Sequence, residues 1–202
     1  MCINNVTGVV LAGGRAIRMG GRDKGLIEIS GKTIVERVAS QLSSQVSKVL
    51  INANRNLEQY QGFGYRVVAD YLENYQGPLA GMAAALKDAG DGWILTAPCD
   101  GPFLAQDYAS KMLATAKQLS VHLVVATDGE RLQPVYALIN KQLFESLEAY
   151  LQSGERKIDR WYSQHSYSTV SFSDELSMFT NVNTPEQLRE VEQSIGTQID
   201  QG

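Results

Sequence analysis

"VVLAGGRAIRMGGRDKG", Val9 to Gly25, decides how the rest of the chain is read. An apolar run ends at Leu11. Five glycines then fall within thirteen residues, Gly13, Gly14, Gly20, Gly21 and Gly25, with Arg15, Arg18 and Lys24 among them. A tight turn needs one or two glycines. Successive backbone N–H groups form a nest around anionic oxygens, and glycine lets the backbone come close to a ligand. Arginine adds a planar fork of donors and lysine a movable point charge. The stretch reads as a phosphate-binding loop. The plainer alternative is a solvated turn with incidental charge.

Familiar nucleotide motifs do not fit it. A dinucleotide fingerprint needs G-x-G-x-x-G, whereas Gly13 and Gly14 are adjacent and Gly20 is too distant. A P-loop needs a glycine five residues before G-K-[ST]. "GKT" occurs at Gly31 to Thr33, but residue 26 is Leu26. It reads as a hairpin-like turn before a helix.

Working outward, Val6 to Leu11 is β-branched and apolar, the pattern of a buried strand. Ile34, Val35, Val38, Leu42 and Val46 recur at helical spacing. "KVLINAN" and "YRVVAD" read as strands. "GPLAGMAAALKDAG" reads as a helix with Pro78 in its first turn and Gly90 past its end. "GWILTAPCD" is a strand running into a turn. "QDYASKMLATAKQL" and "KQLFESLEAYLQSG" read as helices, and "VHLVVAT", "LQPVYALIN" and "YSTVSF" as strands. Pro134 belongs at a strand start or sheet edge, because it lacks an N–H for the ladder. "NTPEQLREVEQSI" carries Thr184, Pro185 and Gln187 in capping-box order. The tail "GTQIDQG" reads as frayed.

Alternating strands and helices predict βαβ units and a mainly parallel sheet. With no linker and no fixed repeat, residues 1–202 are expected to form a single α/β domain. Ligands in such sheets bind beyond the carboxyl ends of the strands. The chemistry-bearing loops all leave such ends: Gly13 to Gly25, Asn52 to Asn54, Asp70, and Pro98 to Pro102.

Composition narrows the class. The chain has 18 basic and 22 acidic residues, a net charge of -4, so it has no general attraction for nucleic acid or acidic membranes. Its two cysteines, Cys2 and Cys99, exclude a disulfide framework or a sulfur-rich metal centre. No signal peptide or membrane span is read, which makes the cytoplasm the expected location.

Asp100 follows an apolar strand in the "PCDGP" turn, as a magnesium ligand or as a turn or helix cap. Lys24 has a phosphate role, with an ion pair to Asp23 or Glu28 as the alternative. Gly81 either lets a helix start approach a ligand or makes a tight packing junction. Asn181 and Asn183 alternate with Val182, placing both amides on one face of an extended segment. Arg156, Lys157 and Arg160 form a modest basic cluster or a solvated helix face. Cys99 reads as a small buried residue beside the site, His122 as a surface or structural residue, and His165 as part of a polar loop.

"LAGGRAIRMGGRDKG" resembles L-A-G-G-x-x-x-R-M-G-x-x-K, the opening element of nucleotidyltransferases acting on sugar phosphates and cofactors. With "GPLAGM", "PCDGPF" and "NVNTPEQL", the chain from Thr7 to about Val191 resembles the molybdenum cofactor guanylyltransferases. The resemblance implies a Rossmann-like nucleotidyltransferase fold with a mixed, mainly parallel sheet flanked by helices. It implies GMP transfer from GTP to the terminal phosphate of molybdopterin, with Mg²⁺ required and pyrophosphate leaving. In this resemblance Leu11, Ala12 and Gly13 line the nucleotide site, Lys24 contacts the phosphates, and Asn52 and Asp70 help hold GTP; Gly14 and Gly81 are expected in the same binding site, and Arg18 with Lys24 and Asp100 in catalysis. Asp100 holds the metal. Asn181 and Asn183, with "PVYAL" and "GERKI", face the pterin substrate. The sequence does not fix the oligomeric state; a monomer is expected, with transient contacts to molybdopterin-synthesis proteins and apo-molybdoenzymes. Two rivals share the motifs: a cytidylyl-, uridylyl- or thymidylyltransferase, and a non-catalytic GTP-dependent adaptor for molybdoenzyme maturation.

Overall fold

A computed structural model of the protein describes residues 2–14, 23–72 and 77–199, with backbone alone for 196–199. The expected roles of Arg15, Arg18, Gly20 and Gly21 lie outside the described residues.

Strand β1 (Ile3–Leu11) is followed by a two-stranded hairpin, β2 (Glu28–Ile29) and β3 (Lys32–Thr33). The hairpin turns through Ser30 and Gly31, both at positive φ, so "GKT" is the turn expected of it. Helix α1 (Ile34–Ser43) then starts from a capping box between Thr33 and Glu36, which satisfies N–H groups that the first turn leaves without intrahelical partners. Next come β4 (Val46–Asn52), α2 (Leu57–Gly62), β5 (Arg66–Val68), α3 (Pro78–Asp88) and β6 (Trp93–Pro98). Helix α4 (Tyr108–Leu119), β7 (Leu123–Thr127), β8 (Leu132–Asn140), α5 (Phe144–Gln152), α6 (Ile158–Tyr162), β9 (Ser168–Ser171) and α7 (Pro185–Ile199) complete the order. The hydroxyl of Thr184 accepts from the Gln187 N–H and the Gln187 amide accepts from the Thr184 N–H, as the capping box requires. The tail does not fray where expected: α7 continues to Ile199.

Seven strands form one sheet in the order β5-β4-β1-β6-β8-β7-β9. The first four run parallel. Strand β8 is antiparallel to both neighbours, and β9 returns parallel to β7. Successive side chains of β1 go to opposite faces. Val10 packs with Ile34, Val38, Leu42, Tyr108 and Met112, under α1 and α4. Val9 and Leu11 pack with Met82, Leu86, Leu147 and Trp161, under α3, α5 and α6. The sheet is thus buried on both sides, which is why its central strands are almost wholly apolar.

Register aligns the carboxyl ends. Leu11 is opposite both Asn52 and Pro98, and Asn52 is opposite Val68. The residues leaving those ends therefore gather at one rim. Strand β8 meets the rim differently. Val125 pairs with Ala137 but Ala126 pairs with Gln133, so Pro134, Val135 and Tyr136 bulge out of the ladder. Pro134 therefore lies inside an interior strand, not at a strand start or sheet edge as expected. The bulge tolerates it because no ladder partner calls for its missing N–H.

Candidate active site

A cleft of about 360 Å³ opens at the rim. Leu11, Ala12, Gly13, Gly14, Lys24, Asn52 and Asp100 line one side of it. Gln133, Pro134, Val135, Tyr136 and Asn181 line the other.

The first side is built from strand ends. Asn52 donates through Nδ2 to Asp70 Oδ1 at 2.9 Å, and Asn54 donates to Asp70 Oδ2 at 2.8 Å. Asp70 is not itself a lining residue; it orients the two amides that are packed against Gly13. A Cβ at Gly13 would lie 2.9 Å from Asn54 Nδ2 and 3.0 Å from Asn52 Oδ1, so a side chain there would have to displace the two amides. Gly81 also sits behind the lining. A side chain there would collide with the Asn52 amide and with Leu11, so this glycine seats α3 against the strands.

Lys24 crosses the cleft. Its Nζ lies 3.4 Å from Asp100 Oδ2 and donates to Asn183 Oδ1. It does not pair with Asp23 or Glu28. Asp23 turns inward, its side chain 4% exposed, and faces Arg55 Nε at 3.3 Å. It also accepts from Tyr60 Oη at 2.7 Å and Asn56 Nδ2 at 3.0 Å. Asp100, with its side chain 21% exposed, is the carboxylate available to the cleft. It caps no helix, since α4 begins only at Tyr108. Its carbonyl accepts from Val182 N–H at 2.8 Å. That bond, with Val182 buried, turns the flanking Asn181 and Asn183 outward as the alternation implied.

The second side depends on hydroxyls. Where β8 bulges, Thr96 Oγ1 of β6 donates to the Val135 carbonyl at 2.6 Å and accepts from Ala137 N–H at 3.2 Å. Tyr162 of α6 donates to the Pro134 carbonyl at 2.7 Å, and Tyr136 donates to the Met178 carbonyl at 2.8 Å. Burial, then the Asp100 charge, pushes the Tyr136 phenol above its ordinary value. Burial alone does so for Tyr162. Both stay protonated donors. The Cys99 thiol is likewise raised by burial, then by Asp100 and Asp23, so it is no thiolate nucleophile.

Some expectations fall outside the cleft. Arg156, Lys157 and Arg160 are exposed and do not line it, and Arg160 pairs with Glu155 at 3.5 Å. His122 stacks on Trp93, and His165 contacts Ser146. Sequence reasoning missed Arg55, Tyr60, Thr96 and Tyr162. Their partners lie far along the chain, and only "INAN" running into Arg55 hinted at any of them.

Among the described residues, no three His, Cys, Asp or Glu side chains gather to hold a metal. One hard carboxylate, Asp100, suits a cation such as magnesium that keeps its waters and takes its other ligands from phosphates. It does not suit an all-protein cage or a soft metal. Among the described residues, no helix is long and apolar enough to cross a membrane.

Residues 8–169 match the MobA-like NTP transferase domain. A molybdenum cofactor guanylyltransferase from Shewanella frigidimarina is 46% identical over 194 residues, covering 96% of this chain and 97% of that one. Its counterpart from Shewanella pealeana is 45% identical over 193 residues, covering 96% of each. Among solved structures, molybdopterin-guanine dinucleotide biosynthesis protein A from Archaeoglobus fulgidus superposes with a TM-score of 0.78 at 22% identity, covering 95% of this chain and 99% of that one. A 4-diphosphocytidyl-2C-methyl-D-erythritolsynthase from Anaerococcus prevotii reaches 0.70 at 14% identity, covering 95% and 98%, so the fold alone spans several nucleotidyltransferases. By sequence over nearly its whole length, the chain belongs to the molybdenum cofactor guanylyltransferases of the MobA-like NTP transferase family.

Proposed function

We propose that the protein transfers GMP from GTP to the terminal phosphate of molybdenum-molybdopterin, forming the guanine dinucleotide cofactor and releasing pyrophosphate. The observation that carries this reading is one cleft in which the β1-end glycines, Lys24 and Asp100 face Asn181 and the β8 bulge. The N-terminal side takes the nucleotide and the C-terminal side takes the pterin.

A phosphate oxygen of the acceptor attacks the α-phosphorus, and the bond from that phosphorus to the bridging oxygen of the β-phosphate breaks. A phosphate monoester has a second pKa of about 6, so the attacking oxygen is already anionic near neutral pH. A strong general base is unnecessary. The protein's work is alignment of anions and compensation of charge. Backbone at Gly13 and Gly14 approaches the phosphates, and Lys24 moves its ammonium from Asp100 onto them. Asp100 would hold Mg²⁺, which when bound neutralises charge on the triphosphate. Asn181 and Asn183 offer donors and acceptors to the pterin side.

Pyrophosphate release with GTP, magnesium and molybdopterin tests the proposal. Release is expected with GTP and not with CTP or UTP. Preference for a pyrimidine nucleotide would identify one of the fold's other activities. GTP binding without pyrophosphate release would identify an adaptor. The family relationship favours the guanylyl reading over both.

A further inference from the structure

We infer that Arg55 and Asp23 form a clasp that holds Lys24 in register with the end of β1, with Arg55 acting as a positioning residue and not as a substrate contact. The inference rests on the guanylyl-transfer reading. One guanidinium reaches both described ends of the opening loop. Its Nη2 donates to the Gly14 carbonyl at 3.1 Å, and its Nε faces Asp23 Oδ2 at 3.3 Å. A lysine ammonium lacks the planar fork that presents two nitrogens at once, so it would not reproduce both contacts in this geometry.

Asp23 is more heavily engaged than a turn residue needs to be. Besides its ion pair with Arg55, whose Nε makes no hydrogen bond among the described residues, it accepts from Tyr60 Oη, Asn56 Nδ2 and the Gly25 N–H, the last at 3.3 Å. Burying a carboxylate is costly unless it is paired and hydrogen-bonded, so this set of donors marks a position that must not move. The Tyr60 phenol is raised by burial first and then by Cys99 and Asp23, which keeps it a permanent donor. Asn56 adopts a left-handed φ of 51° where it reaches Asp23. Asparagine tolerates this conformation better than most residues with a side chain, which suits it to the turn that aims its amide at Asp23. Lys24 follows Asp23 directly and starts the short turn Lys24–Leu26, which Asp23 caps. The root of the lysine is therefore fixed by Asp23, and Asp23 is tied to Gly14 through Arg55.

Arg55 also lines the cleft, so direct contact with phosphate is the competing role. A double-mutant cycle separates them, read as kcat for pyrophosphate release. If Arg55 acts through Lys24, Arg55→Ala lowers kcat about 30-fold when Lys24 is present and less than about 3-fold in a Lys24→Ala background. Arg55→Lys, which keeps the charge but loses the fork, should be as slow as Arg55→Ala within about 3-fold. Equal losses in both backgrounds, or near-full activity of Arg55→Lys, would overturn the clasp. If Arg55→Ala does not fold, Arg55→Lys serves in the same cycle. Wild-type protein that releases no pyrophosphate overturns the functional reading itself, whereas active wild type with an additive cycle overturns the clasp alone.

Discussion

The two sides of the cleft reach the same rim by opposite means. On the β5-β4-β1-β6 side, parallel strands end level and the site consists of residues just beyond or at those ends: Gly13, Asn52, Asn54, Asp70 and Asp100. On the β8-β7-β9 side, an antiparallel strand is pushed out of its ladder at Pro134 to Tyr136, and the hydroxyls of Thr96 and Tyr162 bond the freed bulge backbone while Tyr136 of the bulge reaches out to the Met178 carbonyl. The first side supplies charge and bare backbone, which suits a triphosphate. The second supplies shape, which suits a larger acceptor. One sheet can thus present two dissimilar surfaces by changing strand direction midway.

The largest effects should come from the charged side. Asp100→Ala and Lys24→Ala are each expected to lower kcat by about 10²–10³ while leaving the thermal midpoint near wild type, because each removes charge compensation in the transition state. Unchanged turnover in either folded variant would break the division of labour. Gly81→Val should chiefly affect stability, by about 1–3 kcal/mol or more, because its side chain would strike Asn52 and Leu11. Thermal denaturation reads this, and a silent Gly81→Val would mean that α3 is not seated as described.

Smaller effects belong to the shaped side. Thr96→Val removes the hydroxyl that bridges Val135 and Ala137 and should cost about 1–3 kcal/mol. It should also raise KM for molybdopterin while leaving KM for GTP unchanged, and Thr96→Ser should restore both. A rise in KM for GTP would erase the distinction between the sides. Smallest is a pH effect at His165, whose pKa burial lowers. Its unfolded value is about 6.5, so the unfolded chain binds more protons below that pH, and stability is lost as pH falls. His165→Gln should flatten the decline in thermal midpoint between about pH 7.5 and 5.5.

The same contrast governs what is legible in the chain. The charged side is legible because its residues sit in short motifs at strand ends: the glycines after Leu11, Lys24, and Asp100 in "PCDGP". The strands and long helices are legible from periodicity. Helix α2, with six residues, and α6, with five, are too short to show a period. The bulge reads as a strand start because proline's missing N–H says only that the ladder is broken there, not where the strand lies in the sheet. Thr96 and Tyr162 look like ordinary core residues, since their roles depend on partners 39 and 28 positions away in sequence. Gly81 reads equally as packing or as ligand approach; its surroundings favour packing.

Lys24 meets a group 159 positions away at Asn183, and the Asp100 carbonyl is met by Val182. A nascent chain halted before Asn181 would hold every strand of the sheet yet lack the last piece of its reaction chamber. The cleft is therefore completed only once the chain has been made past Asn183, and an intermediate halted earlier would be a folded scaffold with an unfinished mouth.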